Sequence, residues 1–222
     1  HTRSWRDWSS DVCSSDLLAT EEGEAVSEEM ILPLLADHLL PHGPGKLVIT
    51  NLSTTALLEE VAGWHGGSVV RVPVGRGAAI DALAVYRPDE IAIAGEGTGA
   101  TMMPRFRFIY DGIASMLAIL TMMRERGRRI STILAGYPQY SMCKGQVPLE
   151  SPRVPDLLMA LENDYADGRV NTADGLRVDW PGRWFHVRVS QTEPVVRVIC
   201  EQRDHPPTAL FDALIDRVRR MA

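Results

Sequence analysis

Strand-like and helix-like segments alternate along the first two thirds of the chain, and this alternation constrains the fold most. Apolar runs typical of strands lie at residues 47–50, 68–72 and 91–94, and helical periods separate them at 53–64 and 78–85. Strands separated by helices at this spacing form a sheet that helices cover. Two longer helices are expected at its ends, from about residue 27 and from about 111 to 126. The sequence therefore predicts an α/β layered domain.

The pattern changes near residue 150, where Pro148, Pro152 and Pro155 indicate a linker. One helix is predicted at about 155–165 and a final amphipathic helix at about 208–221. Between them, strand-like segments joined by short turns lie at 176–180, 183–189 and 195–201. Such turns favour an antiparallel meander. We therefore predict an α/β domain at 18–149 and a small α+β domain with an antiparallel sheet at 150–222.

Residues 1–17 do not share these patterns. They hold two tryptophans and five serines without a helical or strand period. The run at 6–17 resembles translated sequencing adapter, and a genuine disordered tail is the alternative. We interpret residues 1–17 as a non-native tail and exclude them from the fold.

Composition excludes several classes of function. The 23 basic and 29 acidic residues give a net charge of −6, which disfavours nucleic-acid binding because phosphate backbones need clustered positive charge. No apolar run approaches the roughly 20 residues that span a bilayer. The cysteines Cys13, Cys143 and Cys200 form no CxxC pair, which argues against a disulfide scaffold or zinc knuckle. We expect a cytoplasmic protein that binds neither nucleic acid nor membranes.

The segment Arg188-Val-Ser-Gln-Thr-Glu-Pro194, between the last two predicted strands, concentrates groups that bind anions. A guanidinium, two hydroxyls, an amide side chain and turn amides are what recognition of a phosphate dianion requires. Arg188, Ser190 and Thr192 point to one side if the backbone is extended. A polar turn whose hydroxyls bond to their own backbone would use the same residue types. The residues alone leave both interpretations open.

Two loops that follow strands of the first domain are further candidates. In Gly95-Glu-Gly-Thr-Gly-Ala100, the glycines allow a ligand close to the backbone, and Glu96 and Thr98 can bond to vicinal hydroxyls of a sugar. The loop completes neither GxxxxGK[ST] nor GxGxxG. In Pro73-Val-Gly-Arg76, the arginine can meet an anion. A plain loop and a solvated surface arginine are the respective alternatives.

In this order, the motifs resemble those of the α-D-phosphohexomutase family: phosphoglucomutase, phosphomannomutase and phosphoglucosamine mutase. The resemblance covers residues 18–222. It rests on Asn51-Leu-Ser-Thr54, Val72-Pro-Val-Gly-Arg76, Gly95-Glu-Gly-Thr-Gly99, Tyr110-Asp-Gly-Ile113, Tyr137-Pro to Lys144, Asp174-Gly-Leu-Arg-Val178 and Arg188 to Pro194. Family members have four domains, so the resemblance implies that our two predicted domains are the third and the fourth.

The resemblance also implies a set of substrate-binding residues, divided between a sugar site and a site for the non-transferred phosphate. They are Gly75, Arg76, Glu96 and Thr98 in the first predicted domain, and Arg188, Ser190, Gln191 and Thr192 in the second. Two positions depart from the family pattern. Ala100 stands where the family has a histidine, and Gln191 where it has glycine or asparagine.

The family's chemistry uses a phosphoserine in the first domain and a magnesium loop, Asp-Gly-Asp-x-Asp-Arg, in the second. Neither motif occurs in this sequence, and Asp7, Asp11 and Asp16 lack the alternate spacing that surrounds a hard cation. We therefore expect no catalytic residue, no metal ligand and no bound cofactor in this chain. Mg²⁺ would serve the intact enzyme only.

The expected function is that of the C-terminal half of a phosphohexomutase, an intramolecular phosphotransferase. Such an enzyme interconverts hexose 1-phosphate and hexose 6-phosphate through a phosphoserine and a bisphosphate intermediate. This half would bind hexose phosphate, act with the enzyme's N-terminal domains and lack turnover alone. The alternatives are a stand-alone, non-catalytic sugar-phosphate binding module and a structural or regulatory protein that has lost the site. Glucose, mannose and glucosamine all stay open as the sugar.

Overall fold

A computed structural model describes residues 18–148 and 153–221, in two compact units that divide between Tyr137 and Pro138. The predicted tail at 1–17 lies outside the described residues. The division falls earlier than the predicted boundary at 149/150, because Tyr140–Pro148 is a strand of the second unit's sheet. The resemblance had included part of this segment, but the residue pattern did not predict a strand there.

The first unit contains a four-stranded sheet in the order β2-β1-β3-β4. Its strands are β1 (Leu47–Asn51), β2 (Ser68–Val72), β3 (Ile91–Gly95) and β4 (Thr101–Met102). Strand β1 is parallel to both β2 and β3, whereas β4 is antiparallel to β3. The predicted α/β layer is confirmed. The two-residue strand β4 was not predicted, since it is too short to show a period.

Five helices accompany this sheet: α1 (Ile31–His42), α2 (Leu57–Trp64), α3 (Arg76–Val85), α4 (Gly112–Arg126) and α5 (Ile130–Leu134). A 3-10 turn at Glu28–Met30 precedes α1, and Ser27 caps it by accepting from the Glu29 amide, in agreement with the helix start predicted at about residue 27. Asp111 caps α4 by accepting from the Ala114 amide at 2.9 Å. Helix α1 lies at the centre of the unit, because it contacts α2, α4 and β3 and buries most of its residues.

The second unit contains an antiparallel sheet in the order β5-β9-β8-β7-β6. Its elements are β5 (Tyr140–Pro148), α6 (Val154–Asp164), β6 (Arg169–Asn171), β7 (Leu176–Trp180), β8 (Arg183–Val189), β9 (Val195–Arg203) and α7 (Thr208–Met221). The predicted meander is confirmed as β7-β8-β9, and β5 and β6 extend it. The core of the unit joins Phe185, Val187 and Val198 of the sheet to Leu157 of α6 and Leu214 of α7.

The helices of both units are too short or too polar to cross a bilayer, as far as residues 18–148 and 153–221 show.

Candidate functional site

Three loops of the first unit leave the carboxyl ends of the parallel strands β1, β2 and β3, so they lie at one edge of the sheet. They are residues 52–56, 73–75 and 96–100. Ligands of open α/β sheets bind at this edge. The fold therefore brings Gly75, Glu96 and Thr98, three of the predicted sugar-binding residues, to the edge where a ligand is expected.

A buried threonine joins two of these loops. The Thr54 hydroxyl accepts hydrogen bonds from the Gly97 amide at 3.0 Å and from the Thr50 hydroxyl at 2.9 Å. It donates to Asn51 Oδ1 at 3.1 Å, and that oxygen also accepts from the Ser53 amide at 2.8 Å. Thr54 has no exposed surface. The loop after β1 therefore fixes the backbone of the glycine-rich loop after β3.

The glycine-rich loop also lies against the buried carboxylate of Glu29. That carboxylate accepts from the Thr55 amide at 3.0 Å. A Cβ at position 97 would overlap the Glu29 carboxylate, so only glycine allows this close approach. Two buried groups, the Thr54 hydroxyl and the Glu29 carboxylate, thus hold the loop at Gly97 and leave the flanking residues to face the edge of the sheet.

The side chains on either side of Gly97 are half-buried at this edge. The Tyr110 hydroxyl donates to Glu96 Oε1 at 3.1 Å and so orients the carboxylate. The Glu96 amide donates to the Ala100 carbonyl at 3.0 Å, which closes the loop. A carboxylate held in this way can accept hydrogen bonds from sugar hydroxyls. Sequence reasoning missed the role of Tyr110, since only the fold brings it to the loop.

The loop after β2 leads directly into helix α3. Gly75 precedes the helix and its carbonyl accepts from the Ala79 amide at 3.4 Å. Arg76 is the first residue of α3, at the same edge of the sheet as Glu96 and Thr98. A substrate contact by Gly75 or Arg76 stays a prediction.

In the second unit, the predicted phosphate loop connects β8 to β9. The Ser190 amide donates to the Val195 carbonyl at 2.8 Å, and the Val195 amide donates to the Glu193 carbonyl at 2.8 Å. Gln191 and Thr192 are exposed at the tip, whereas Ser190 is buried at its base. The four predicted phosphate-binding residues thus lie together, three in the loop and Arg188 at the end of β8.

Two arginines face each other beside this loop. Arg188 of β8 lies directly opposite Arg197 of β9 in the antiparallel register, so their side chains share one face of the sheet. Arg188 is only 7% exposed. An Arg197 nitrogen donates to Glu193 Oε2 at 3.2 Å, so a carboxylate of the loop is paired with this guanidinium. Arg197 was not predicted as a site residue, because only the fold shows that it lies opposite Arg188.

The turn before β7, which contains Asp174 and Gly175, packs against the backbone of β8 at Arg188. The carbonyl of Asp174 lies 2.6 Å from Nε2 of His186, which donates to it. Gly175 has a φ of 78°, and a Cβ there would lie 2.8 Å from Cα of Arg188. Burial lowers the pKa of His186 to about 4, which keeps its ring neutral beside the arginine. The turn therefore fixes the backbone that carries the predicted phosphate-binding guanidinium.

One group of potential metal ligands lies on two helices of the first unit. Within residues 18–148 and 153–221, one group brings three ligand atoms of different side chains within 4.8 Å of one another: His38, His42 and Glu125. Mg²⁺ selects oxygen ligands in octahedral geometry, whereas two imidazoles suit transition metals. The residues of this group therefore do not fit the Mg²⁺ that the family resemblance implies.

Comparison with known proteins gives a consistent set of matches. The profile described as "Phosphoglucomutase/phosphomannomutase, alpha/beta/alpha domain III" matches residues 27–140. A probable phosphoglucosamine mutase from Methanopyrus kandleri is 29% identical over 208 residues, which are 92% of this chain and 45% of the relative. A phosphoglucomutase/phosphomannomutase from Thermococcus kodakarensis is 28% identical over 82% of this chain and 40% of its own length. The chain thus spans less than half the length of these relatives.

Solved structures give the same result. A phosphoglucomutase/phosphomannomutase family protein from Burkholderia thailandensis matches with a TM-score of 0.74 and 26% identity, over 92% of this chain and 43% of that protein. A putative phosphomannomutase from Thermus thermophilus matches with a TM-score of 0.66 and 20% identity, over 92% and 43%, which supports the fold.

Proposed function

Because the chain belongs to the phosphoglucomutase/phosphomannomutase family, we propose that it supplies the sugar- and phosphate-binding half of a phosphohexomutase. Such an enzyme would interconvert hexose 1-phosphate and hexose 6-phosphate through a phosphoserine and a bisphosphate intermediate. The observation that most directly supports this proposal is that Arg188 and Arg197 lie opposite each other on neighbouring strands, beside a loop with two hydroxyls.

Like charges directly opposite on neighbouring strands repel each other. Glu193 offsets part of the charge of Arg197, and a phosphate dianion would be attracted by both Arg188 and Arg197. The hydroxyls of Ser190 and Thr192 would add neutral donors at the same loop. Charge-assisted hydrogen bonds from guanidinium to phosphate are among the stronger ones in proteins. This loop therefore supports the binding of a phosphate that is held rather than transferred.

The sugar would be bound by the loops at the carboxyl edge of the first sheet. Glu96, oriented by Tyr110, would accept hydrogen bonds from hydroxyls, and Thr98 would donate or accept. Gly75 and Arg76 would contribute from the neighbouring loop. Because Thr54 and Glu29 fix the glycine-rich loop, its recognition groups need little further ordering when the substrate binds.

The chain would act with the other domains of such an enzyme. Phosphoryl transfer needs a phosphate donor and charge stabilisation at the transferring group, besides the positioning of the sugar. The resemblance implies that the phosphoserine and Mg²⁺ lie in other domains, so we propose that this chain does not turn over substrate alone. We also propose a cytoplasmic location, since Cys143 and Cys200 carry reduced thiols, which a reducing compartment maintains.

Calorimetric titration with hexose phosphates tests the phosphate loop. We expect Arg188→Ala to weaken the binding of glucose 1-phosphate by about tenfold or more, because a charged hydrogen bond contributes roughly 1.5–3 kcal/mol. Arg169→Ala is the matched control, since this arginine of β6 is 85% exposed in its side chain and lies away from the loop. If wild type and Arg188→Ala bind glucose 1-phosphate equally tightly, the assignment of this loop as the phosphate site is wrong.

A stand-alone binding module is the second candidate function, and the presence of all eight predicted substrate residues in residues 18–222 favours it. A coupled isomerisation assay separates the two. Turnover that appears only when the complementary domains of a relative are added supports the mutase half. Binding that never leads to turnover supports the module. Robust turnover by the chain alone contradicts the proposed dependence on other domains.

A further inference from the structure

Two imidazoles and one carboxylate converge where helices α1 and α4 end. His38 Nδ1 and His42 Nε2 each lie 3.7 Å from the same oxygen, Glu125 Oε2. The two histidines are one helical turn apart on α1, and Glu125 is in the last turn of α4. These residues lie in the first unit and take no part in the proposed substrate site.

The hydrogen bond of the second histidine fixes which nitrogen faces the carboxylate. His42 Nδ1 lies 2.6 Å from the carbonyl oxygen of His38. A carbonyl only accepts, so Nδ1 carries the hydrogen and the lone pair of the neutral ring is on Nε2. That nitrogen faces a carboxylate oxygen, so the contact is favourable when a positive charge, either a proton on Nε2 or a metal ion, lies between them. Histidines that bind metals are commonly oriented by such a bond from their other nitrogen.

The electrostatic surroundings also favour a cation. His42 is the last residue of α1 and Glu125 the next to last of α4, so the negative ends of two helix dipoles lie nearby. The neighbouring guanidinium of Arg126 is paired with Asp37 at 2.6 Å, which offsets its charge.

We propose that His38, His42 and Glu125 form a three-ligand site for a divalent transition-metal ion, for which Zn²⁺ is the probe. Two imidazoles with one carboxylate are a known zinc ligand set that leaves one position to solvent. Zinc–ligand bonds of about 2.0–2.2 Å place neighbouring tetrahedral ligands roughly 3.4 Å apart. The two histidine–glutamate pairs are 3.7 Å apart, and all three ligand atoms lie within 4.8 Å of one another. His42 and Glu125 are exposed, so an ion reaches the site from solvent. The bound ion would link α1 to α4.

The full chain is titrated with Zn²⁺ by calorimetry and with Co²⁺ by visible spectroscopy. We expect one strong Zn²⁺ site, a rise in melting temperature and the visible absorption of tetrahedral Co²⁺. His42→Ala and Glu125→Gln each remove one exposed ligand, and circular dichroism checks their fold. Mutation of a residue that only hydrogen-bonds to a metal ligand typically lowers metal affinity about 10–100-fold. Because these variants remove a ligand itself, each should bind Zn²⁺ at least about tenfold more weakly.

His205→Ala is the matched control, because this exposed histidine lies in the second unit and should leave Zn²⁺ affinity unchanged. All proteins carry Cys13→Ser, which removes a thiol that would compete for zinc. Unchanged affinity in both ligand variants would overturn the proposal. The proposal would also be overturned if Zn²⁺ gave no binding heat and no change in melting temperature with the protein that retains all three ligands.

Discussion

The Thr54 hydroxyl accepts a hydrogen bond from the Gly97 amide at 3.0 Å, although 43 residues separate them. The same hydroxyl accepts from Thr50 and donates to Asn51, so one buried side chain satisfies three polar groups. It joins the loop after β1 to the loop after β3, which carries the predicted sugar-binding residues. The shape of the predicted sugar loop is therefore set from a neighbouring strand.

Replacing this hydroxyl by a methyl group should destabilise the first unit. Thr54→Val keeps the volume but leaves the Gly97 amide and Asn51 Oδ1 without their bonds to position 54. Asn51 Oδ1 keeps its bond from the Ser53 amide, whereas the buried Gly97 amide loses its bond to position 54. An unsatisfied buried group costs about 1–3 kcal/mol, so we expect a loss of that order in the free energy of unfolding. Urea denaturation measures it. Thr121→Val is the control, since this hydroxyl bonds only to a carbonyl of its own helix. Equal stability of the two variants would contradict the role of Thr54.

Adding one methyl group at Gly97 should disturb the same loop by another route. The new Cβ would overlap the Glu29 carboxylate, which is buried and bonded to the Thr55 amide. Overpacking of this kind costs about 1–3 kcal/mol. Gly63→Ala in α2 meets nothing within 4 Å and should be neutral or stabilising by up to about 1 kcal/mol. Thermal unfolding that ranks Gly97→Ala at or above Gly63→Ala in stability would show that the loop relaxes freely.

Local patterns in the sequence predicted most of the fold. Strands β7 and β8 and helix α7 have the predicted bounds, because their apolar periods and short turns are local signals. Strand β5 was missed for a physical reason. It pairs with β9, far along the chain, and only Val147 among its nine residues is buried, so no alternation shows in the sequence.

The sequence predicted the loops of the candidate site, but it did not predict the contacts that these loops make with other elements. The loops of Glu96 and Arg188 are recognisable by the residue types that they concentrate. By contrast, the helical segment predicted at 53–64 begins only at Leu57, and the residues before it form the loop in which Thr54 bonds to Gly97. The pairing of Arg188 with Arg197 depends on strand register, and the contact of Tyr110 with Glu96 depends on packing, so no local pattern contains them.

Two glycines with similar backbones allow the support of Arg188 to be tested. Gly175 and Gly182 have φ values of 78° and 75°, so alanine is strained at both. At Gly182 the nearest atom to a new Cβ is 3.8 Å away, whereas at Gly175 the Arg188 Cα is at 2.8 Å. Gly182→Ala should cost about 1 kcal/mol in stability. Gly175→Ala should cost roughly 1–3 kcal/mol more.

The same pair should differ in ligand binding. Gly175→Ala moves the backbone that holds the predicted phosphate-binding guanidinium, so hexose-phosphate affinity should fall, whereas Gly182→Ala should bind as wild type does. Calorimetry at a temperature where both variants are folded measures this. If Gly175→Ala binds as tightly as Gly182→Ala, the turn is structural and does not position Arg188.

The buried His186 should make the second unit less stable in acid. Burial lowers its pKa from 6.5 to about 4 in the folded chain. As the pH falls from about 6.5 to about 4, the unfolded chain therefore binds a proton at this residue that the folded chain does not. Stability rises with pH wherever the unfolded state binds more protons, so the contribution of His186 is lost as the pH falls through this window. Above about pH 6.5 its contribution is constant.

His186→Gln isolates this effect, because glutamine can still donate to the Asp174 carbonyl but does not titrate. We expect the loss of unfolding free energy between about pH 7 and about pH 5 to be smaller in His186→Gln than in wild type. Tryptophan fluorescence in urea follows the unfolding, since Trp184 of the same strand is buried. His205→Gln, at an exposed position, should keep the wild-type pH dependence. An equal pH dependence in wild type and His186→Gln would mean that another group governs the acid sensitivity of the second unit.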